Sequence, residues 1–371
     1  MLTKDDIQRK ALTVLLQHER GTAAISMGVG KTYLGLKYIN TLEYINKKPY
    51  KTLIVIPKLA IVKVWREEAS NRGLQHLMDN VTFTTYRSLI KQKLDYDLII
   101  LDECHNLLET HVPYLDAIPK TCKILGLTGT PPRYKTSTKG VLVNKYCPIH
   151  YTYITKDAVE EKLLNDYEIV VHYLLLDKKN NLPVNTKTIS FMTSELNNYL
   201  YWTTRIDNAQ SGKSKQIARV MRMKAMMEYK SKEMLAKKIM NEQTDKTIVF
   251  CNTKEQADRI CKNSYHSGNL NSETNLENFK NGKISELSCV LQLNEGVNIP
   301  QLKQGIIMHS YGNERKTSQR LGRLLRLNPN DTATIHILCY KGTVDEDWVN
   351  EALKDYDPSK IYYSDHSINL Y

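Results

Sequence analysis

The sequence predicts an α/β protein of two domains, each a mainly parallel sheet with helices on both faces. Three observations carry this expectation. A short apolar run, Thr22-Ala23-Ala24-Ile25-Ser26, enters a glycine-rich loop that opens directly into a helical stretch. Buried-strand runs then alternate with helical segments, which is the pattern of a parallel sheet. After a poorly periodic interval the same alternation restarts, and 371 residues is long for a single core.

Taken in order, Thr3-Lys4-Asp5-Asp6 reads as a helix start with Thr3 as N-cap, followed by Ile7, Ala11, Val14 and Leu15 at helical spacing. Gln8 lies on this helix, placed to fold its amide over the base of a nucleotide. An amide pairs with both the donor and the acceptor of an adenine edge. The loop Ser26-Met27-Gly28-Val29-Gly30-Lys31-Thr32 sits between strand and helix. In that setting backbone N–H groups and a helix N-terminus face phosphate, Lys31 adds a point charge, and the Thr32 hydroxyl is a ligand for Mg²⁺. The strict phosphate-loop pattern wants glycine where this chain has Ile25.

Next come the strand Thr52-Leu53-Ile54-Val55-Ile56, ended by Pro57-Lys58, a helix carrying Val62, Trp65 and Glu67, and the strand Val81-Thr82-Phe83-Thr84-Thr85-Tyr86. Ligands of such sheets gather at the carboxyl ends of strands. Lys58, Thr84, Thr85 and Arg87 lie there, the groups that a phosphate backbone wants, although strand ends are often polar for no such reason. The run Asp97-Leu98-Ile99-Ile100-Leu101 leads into Asp102-Glu103-Cys104-His105. A carboxylate there holds Mg²⁺ and its neighbour polarises water. His105 is either part of that site or a satisfied core histidine. The strand Ile124-Leu125-Gly126-Leu127 ends in Thr128-Gly129-Thr130-Pro131 on the same edge.

Residues 132 to 165 are poorly periodic and hold Pro132, Gly140 and Pro148, so the domain junction is expected near residue 150, giving domains 1–150 and 151–371. Strand character returns at 168 to 176. Between 178 and 241 lie one candidate strand (188 to 192) and two helical segments, about 194 to 209 and 214 to 240. The second carries Lys213, Lys215, Arg219, Arg222, Lys224, Lys230, Lys232, Lys237 and Lys238 against only Glu228 and Glu233. It is either a nucleic-acid-facing arm or a solvated helix face. The sheet pattern then resumes with strands at 247 to 253, 288 to 291 and 305 to 308. Between the last two lies Asn294-Glu295-Gly296-Val297-Asn298-Ile299-Pro300, and Gln319-Arg320-Leu321-Gly322-Arg323-Leu324-Leu325-Arg326 follows. Arg323 and Arg326 share one face if helical, the arrangement of an arginine finger supplied in cis.

Composition narrows the partner class. Fifty-two basic against 40 acidic residues give a net charge of +12, which suggests a polyanionic partner or a solvated basic face. Seven cysteines with no C-x-x-C pair argue for reduced thiols in a cytosolic protein and against a zinc site. No apolar stretch reaches the roughly 20 residues of a membrane span, so the expectation is a cytoplasmic protein without a membrane partner.

In their order these boxes resemble the superfamily 2 helicases and translocases. The first motor domain is matched at Gln8, at Met27-Gly28-Val29-Gly30-Lys31-Thr32, at Asp102-Glu103-Cys104-His105 and at Thr128-Gly129-Thr130-Pro131. The second is matched at 250 to 253, 295 to 300 and 319 to 326. Without the first loop glycine the chain looks like the Swi/Snf-type and restriction-motor branches, and its compactness like phage helicases of the UvsW type. The resemblance implies two RecA-like domains with an ATP cleft between them, and ATP and Mg²⁺ as cofactors. It implies Gln8, Gly28, Gly30, Lys31, Thr32, Asp102 and Gly296 at the nucleotide, and Glu103 as activator of water. Gln319, Arg323 and Arg326 complete catalysis, while His105, Thr128 and Thr130 couple it to the track. Lys58, Thr84, Thr85, Arg87, Asn252 and Thr253 are expected along nucleic acid, with Lys213, Arg219 and Arg222 beside it. The expected activity is that of an ATP-dependent DNA motor acting on single-stranded, duplex or branched DNA in replication, recombination or repair. With its arginines supplied in cis, such a motor is expected to work as a monomer. An RNA motor, for which Asp-Glu-Cys-His is the main support, and a nucleotide-gated binding module without motor output are the rivals.

Overall fold

The computed structural model describes residues 3–26, 28–132, 134–153, 157–158, 161, 166–185, 189–290, 299, 302–310, 332–354 and 356–366. These residues form two compact units that divide between Asp166 and Tyr167. No helix among them is long and apolar enough to cross a membrane.

In the first unit the strands are β1 (Arg20–Ile25), β2 (Thr52–Ile56), β3 (Val81–Thr85), β4 (Leu98–Asp102), β5 (Lys123–Thr128) and β6 (Ile149–Tyr153). The helices are α1 (Lys4–Leu16), α2 (Lys31–Asn46), α3 (Ile61–Asn71), α4 (Val112–Ala117) and α5 (Thr138–Tyr146). The sheet runs in the order β3-β2-β4-β5-β1-β6, and every pair is parallel. Both β2 and β4 are buried along their whole length, as strands covered on two faces must be. Thr3 caps α1 as the sequence implies: its hydroxyl accepts from the Asp6 N–H, and the Asp6 carboxylate accepts from the Thr3 N–H at 2.9 Å. The units divide beyond residue 150 because β6 pairs with β1 and so belongs to the first sheet. A Cβ on Gly126 would stand 2.0 Å from Thr22 Oγ1, so β1 and β5 meet this closely only because position 126 has no side chain.

In the second unit the strands are β7 (Asp166–Leu174), β8 (Leu182–Asn185), β9 (Ser190–Thr193), β10 (Thr247–Cys251), β11 (Ser264–Tyr265), β12 (Glu286–Val290), β13 (Gln304–Ile307), β14 (Thr332–Tyr340) and β15 (Ile361–Asp365). The helices are α6 (Glu195–Asp207), α7 (Gly212–Met227), α8 (Lys230–Glu242), α9 (Lys254–Ile260), α10 (Ser272–Lys280) and α11 (Val344–Leu353). The main sheet has the order β11-β12-β10-β13-β14-β7-β15, while β8 and β9 form a separate antiparallel pair.

The continuous helix expected over 214 to 240 is two helices. Tyr229 is extended (φ −70°, ψ 135°), fully buried, and donates its hydroxyl to Asn198 Oδ1 at 3.0 Å. Anchoring that ring breaks the helix and lets α8 turn its apolar face, Leu235, Ala236, Ile239 and Met240, into the core.

A buried polar network ties these helices to the sheet. Ser231 donates from its N–H and its hydroxyl to Glu195, at 3.0 and 2.7 Å. The Lys232 ammonium is wholly buried and pairs with Asp345, whose carboxylate also accepts from the Tyr340 N–H at 2.9 Å. Lys232 therefore leaves the cationic surface on which its charge suggested a place.

Candidate functional site

The strand order puts the carboxyl ends of β4, β5 and β1 side by side, and the three polar segments of the first half converge there. The loop after β1 turns on two left-handed glycines, Gly28 (φ 89°) and Gly30 (φ 94°). A side chain on Gly30 would be both strained and within 2.5 Å of the Gln8 amide nitrogen. Gln8 is buried; its amide donates to Val29 O at 2.8 Å and its carbonyl accepts from Lys37 at 3.3 Å. The glutamine expected over a base thus braces the loop itself.

Lys31 opens α2, and its ammonium lies 3.6 Å from Glu103 Oε1, with both side chains about one-tenth exposed (12% and 11%). The other Glu103 oxygen accepts from the Thr128 hydroxyl at 3.3 Å and from the Gly129 N–H at 3.4 Å, and lies 3.4 Å from His105 Nδ1. His105 Nδ1 is also 2.9 Å from Thr128 Oγ1, which accepts from the Thr130 N–H at 3.1 Å. With Thr128 donating to Glu103, the pattern closes when His105 carries its proton on Nδ1. His105 is buried and hydrogen-bonded within the same cluster as Glu103. Among the described residues Thr130 Oγ1 is buried without a hydrogen-bond partner.

Burial alone would raise the Glu103 pKa. Lys31, His105, the Gly129 N–H and the Thr128 hydroxyl outweigh it and hold the carboxyl below its ordinary value. Its backbone is left-handed (φ 53°, ψ 58°), a conformation that costs an L-residue of order 1–3 kcal/mol. That turn swings Glu103 toward Lys31 while Asp102 stays in the strand. The Trp65 indole N–H donates to Asp102 Oδ2 at 3.1 Å, and the Tyr86 hydroxyl donates to Asp102 O at 2.9 Å. Neither partner was picked out from the sequence. Each lies on another element, and only the apolar run ending at Asp102 and the aromatic residues themselves were legible.

The chemistry of this set fits a magnesium–nucleotide. Positive-φ glycines free the loop N–H groups, Lys31 supplies a cation at a helix N-terminus, and Thr32 with Asp102 supplies the oxygen donors that a hard cation takes.

The other expected positions are scattered by burial. Lys58 and Arg87 are exposed and Thr85 is half-buried, whereas Thr84 is buried, its hydroxyl accepting from Gln92 Nε2 at 3.1 Å. In the second unit Thr253 caps α9, accepting from the Gln256 N–H at 3.1 Å, and the Asn252 N–H donates to Gln256 Oε1. Lys213 and Arg219 are exposed on α7. Arg222 donates to Thr203 Oγ1 at 3.0 Å and lies over the Tyr199 ring. Gly296, Gln319, Arg323 and Arg326 lie outside the described residues.

Comparison with known proteins follows the same division. Residues 2–133 match the family model described as type III restriction enzyme, res subunit, and residues 230–328 match the helicase conserved C-terminal domain. The DNA 3'-5' translocase XPB2 of Sulfurisphaera tokodaii is 27% identical over 374 residues, covering 92% of this chain and 82% of that protein. Among solved structures, the ATP-dependent type ISP restriction-modification enzyme LlaBIII bound to DNA superposes with a TM-score of 0.64 at 15% identity, over 99% of this chain. The chain spans only 32% of that enzyme. The Pyrococcus furiosus Hef helicase domain superposes with a TM-score of 0.50 at 16% identity, over 95% of this chain and all of that one (100%).

Proposed function

Because this chain belongs to the superfamily 2 helicases and translocases, with two RecA-like domains, we propose that it is an ATP-driven motor that works on DNA. The observation that carries the reading is the cluster of Lys31, Glu103, His105 and Thr128 at the ends of three adjacent strands. A site for binding alone has no need of a strained, ionised carboxylate beside the phosphate-loop lysine.

In this mechanism the loop N–H groups and Lys31 bind the β- and γ-phosphates. Thr32 and Asp102 would hold Mg²⁺, which when bound neutralises charge on the phosphates. Glu103, ionised at neutral pH, orients the attacking water and takes up its proton. Thr128 and His105 fix the Glu103 carboxylate, and the orphaned Thr130 hydroxyl beside them is the group we assign to coupling with the track. From the resemblance, Gln319, Arg323 and Arg326 complete the site and Gly296 approaches the nucleotide.

The track is proposed to run past Lys58, Thr85, Arg87, Asn252 and Thr253, with Lys213, Lys215 and Arg219 of α7 touching phosphates beside it. DNA is favoured over RNA because the XPB2 relative is a DNA translocase. Phosphate release measured with single-stranded, duplex, forked and four-way DNA and with RNA tests all of this. Stimulation by DNA is expected, with branched or duplex forms preferred. A requirement for 2′-hydroxyls would shift the track to RNA, and no stimulation by any nucleic acid would leave a nucleotide-gated binder.

A further inference from the structure

Trp65 is fully buried on α3, and a tryptophan buried this deeply needs a partner for its N–H. It takes the side-chain carboxylate of Asp102 at 3.1 Å. The same indole lies against α2 at Gly35, where an added Cβ would come within 2.5 Å of the ring carbon Cη2 and 3.1 Å of Cζ3. Gly35 follows Thr32 by three residues, so the two share a helix face. One rigid ring therefore touches the helix that presents the Thr32 hydroxyl and the carboxylate that ends β4. The Tyr86 hydroxyl pins the Asp102 carbonyl from the backbone side at 2.9 Å, and the Trp65 N–H holds the carboxylate itself.

We infer that Trp65 is a positioning residue for the metal site, setting the orientation of the Asp102 carboxylate and its spacing from Thr32. The inference rests on the magnesium–nucleotide reading above. It also accounts for a glycine inside α2, a residue that weakens a helix relative to alanine and is explained here by the ring that lies on it. Partners that orient metal ligands typically change metal affinity about 10- to 100-fold when removed.

The test is the Mg²⁺ dependence of binding of a fluorescent ATP analogue, measured on the full chain as wild type, Trp65→Phe and Gly35→Ala, with thermal melting alongside. Trp65→Phe keeps an aromatic ring and loses the donor; Gly35→Ala pushes the ring off the helix. Both are expected to raise the Mg²⁺ concentration for half-maximal binding about ten-fold. Affinity for the analogue in excess chelator is expected to stay within about two-fold of wild type, because the phosphate loop and Lys31 are untouched. A purely structural role would lower the folded fraction and leave the Mg²⁺ midpoint where it is, and that result overturns the inference. Should neither variant fold, a Trp202→Phe/Trp348→Phe chain retains Trp65 as the sole indole. Its emission is then expected to shift on adding Mg²⁺ with ADP, and an unchanged spectrum overturns the inference. Wild-type binding that is independent of Mg²⁺ overturns the parent reading too, whereas Mg²⁺-dependent wild type with an unaltered Trp65→Phe midpoint overturns the role of Trp65 alone.

Discussion

Two buried lysine–carboxylate pairs, one in each unit, differ in nearly every respect. Lys31 and Glu103 stand 3.6 Å apart at the edge of the first sheet, slightly exposed, with the carboxylate on a left-handed residue. Lys232 and Asp345 are sealed in the second unit, in contact and with the Tyr340 N–H on the same oxygen. A close, fully satisfied pair fixes how helices seat on a sheet; a longer pair with a strained partner keeps its charges available to something else. Burial and charge alone do not distinguish these two pairs, but spacing and backbone conformation do.

Glu103→Gln should break the functional side of this contrast most sharply. DNA-stimulated phosphate release is expected to fall by about 10²–10⁴-fold, the usual contribution of a positioned acid–base group, with the melting temperature close to wild type. Lys232→Ala should do the reverse. Leaving Asp345 buried and unpaired costs about 3–5 kcal/mol in denaturant unfolding, whereas replacing both partners, Lys232→Met with Asp345→Leu, should return most of that stability because the desolvation of two charges is removed as well. If the double variant is no better than the single one, the pair does more than balance its own burial.

The second unit contains a further polar chain that titrates. His172 Nδ1 lies 2.8 Å from His366 Nε2, His172 Nε2 lies 2.9 Å from His336 Nδ1, and His336 Nε2 lies 3.1 Å from Gln304 Oε1. Burial, with the neighbouring imidazoles, lowers His172 to about 3, and burial lowers His336 to about 4. Folded pKa values below the unfolded value of about 6.5 mean that the unfolded chain binds protons first as pH falls. The stabilisation is complete above about pH 6.5 and is lost progressively as pH falls toward about 3, the lower of the two folded values. Urea midpoints followed across that range check it, and His336→Gln should flatten the profile.

The smallest stability change is expected for Lys213, Lys215 and Arg219 changed together to Ala. Stability should stay within about 0.5 kcal/mol, while DNA affinity drops and its salt slope falls by nearly one unit for each phosphate no longer neutralised. Arg222→Ala should instead lower stability by about 1 kcal/mol through removal of its bond to Thr203 and leave the slope unchanged.

Much of the first sheet was legible in the sequence because β2, β4 and β5 are buried apolar runs, and each ends at a turn of distinctive polar residues. The nine-residue β14 was missed, although it is buried along most of its length, because no motif flanks it. The strand β6 has two exposed residues at its start and mixed burial after, so at the sheet edge it carries no apolar run to read. At the site, residue types and their order pointed to Lys31, Asp102, Glu103 and His105. What they could not reveal is who holds them: Trp65 and Asp102 are 37 positions apart, and Thr84, polar at a strand end, turns inward to Gln92.

The left-handed backbone at Glu103 also separates two kinds of tolerance at one position. For folding alone, glycine suits that backbone better than glutamate, and asparagine is strained less than most residues. For turnover, neither can replace a carboxylate. A library of residue 103 variants ranked by abundance of soluble protein would therefore be headed by the substitutions that a ranking by hydrolysis places last, and position 103 would stand out by the opposition of its two rankings.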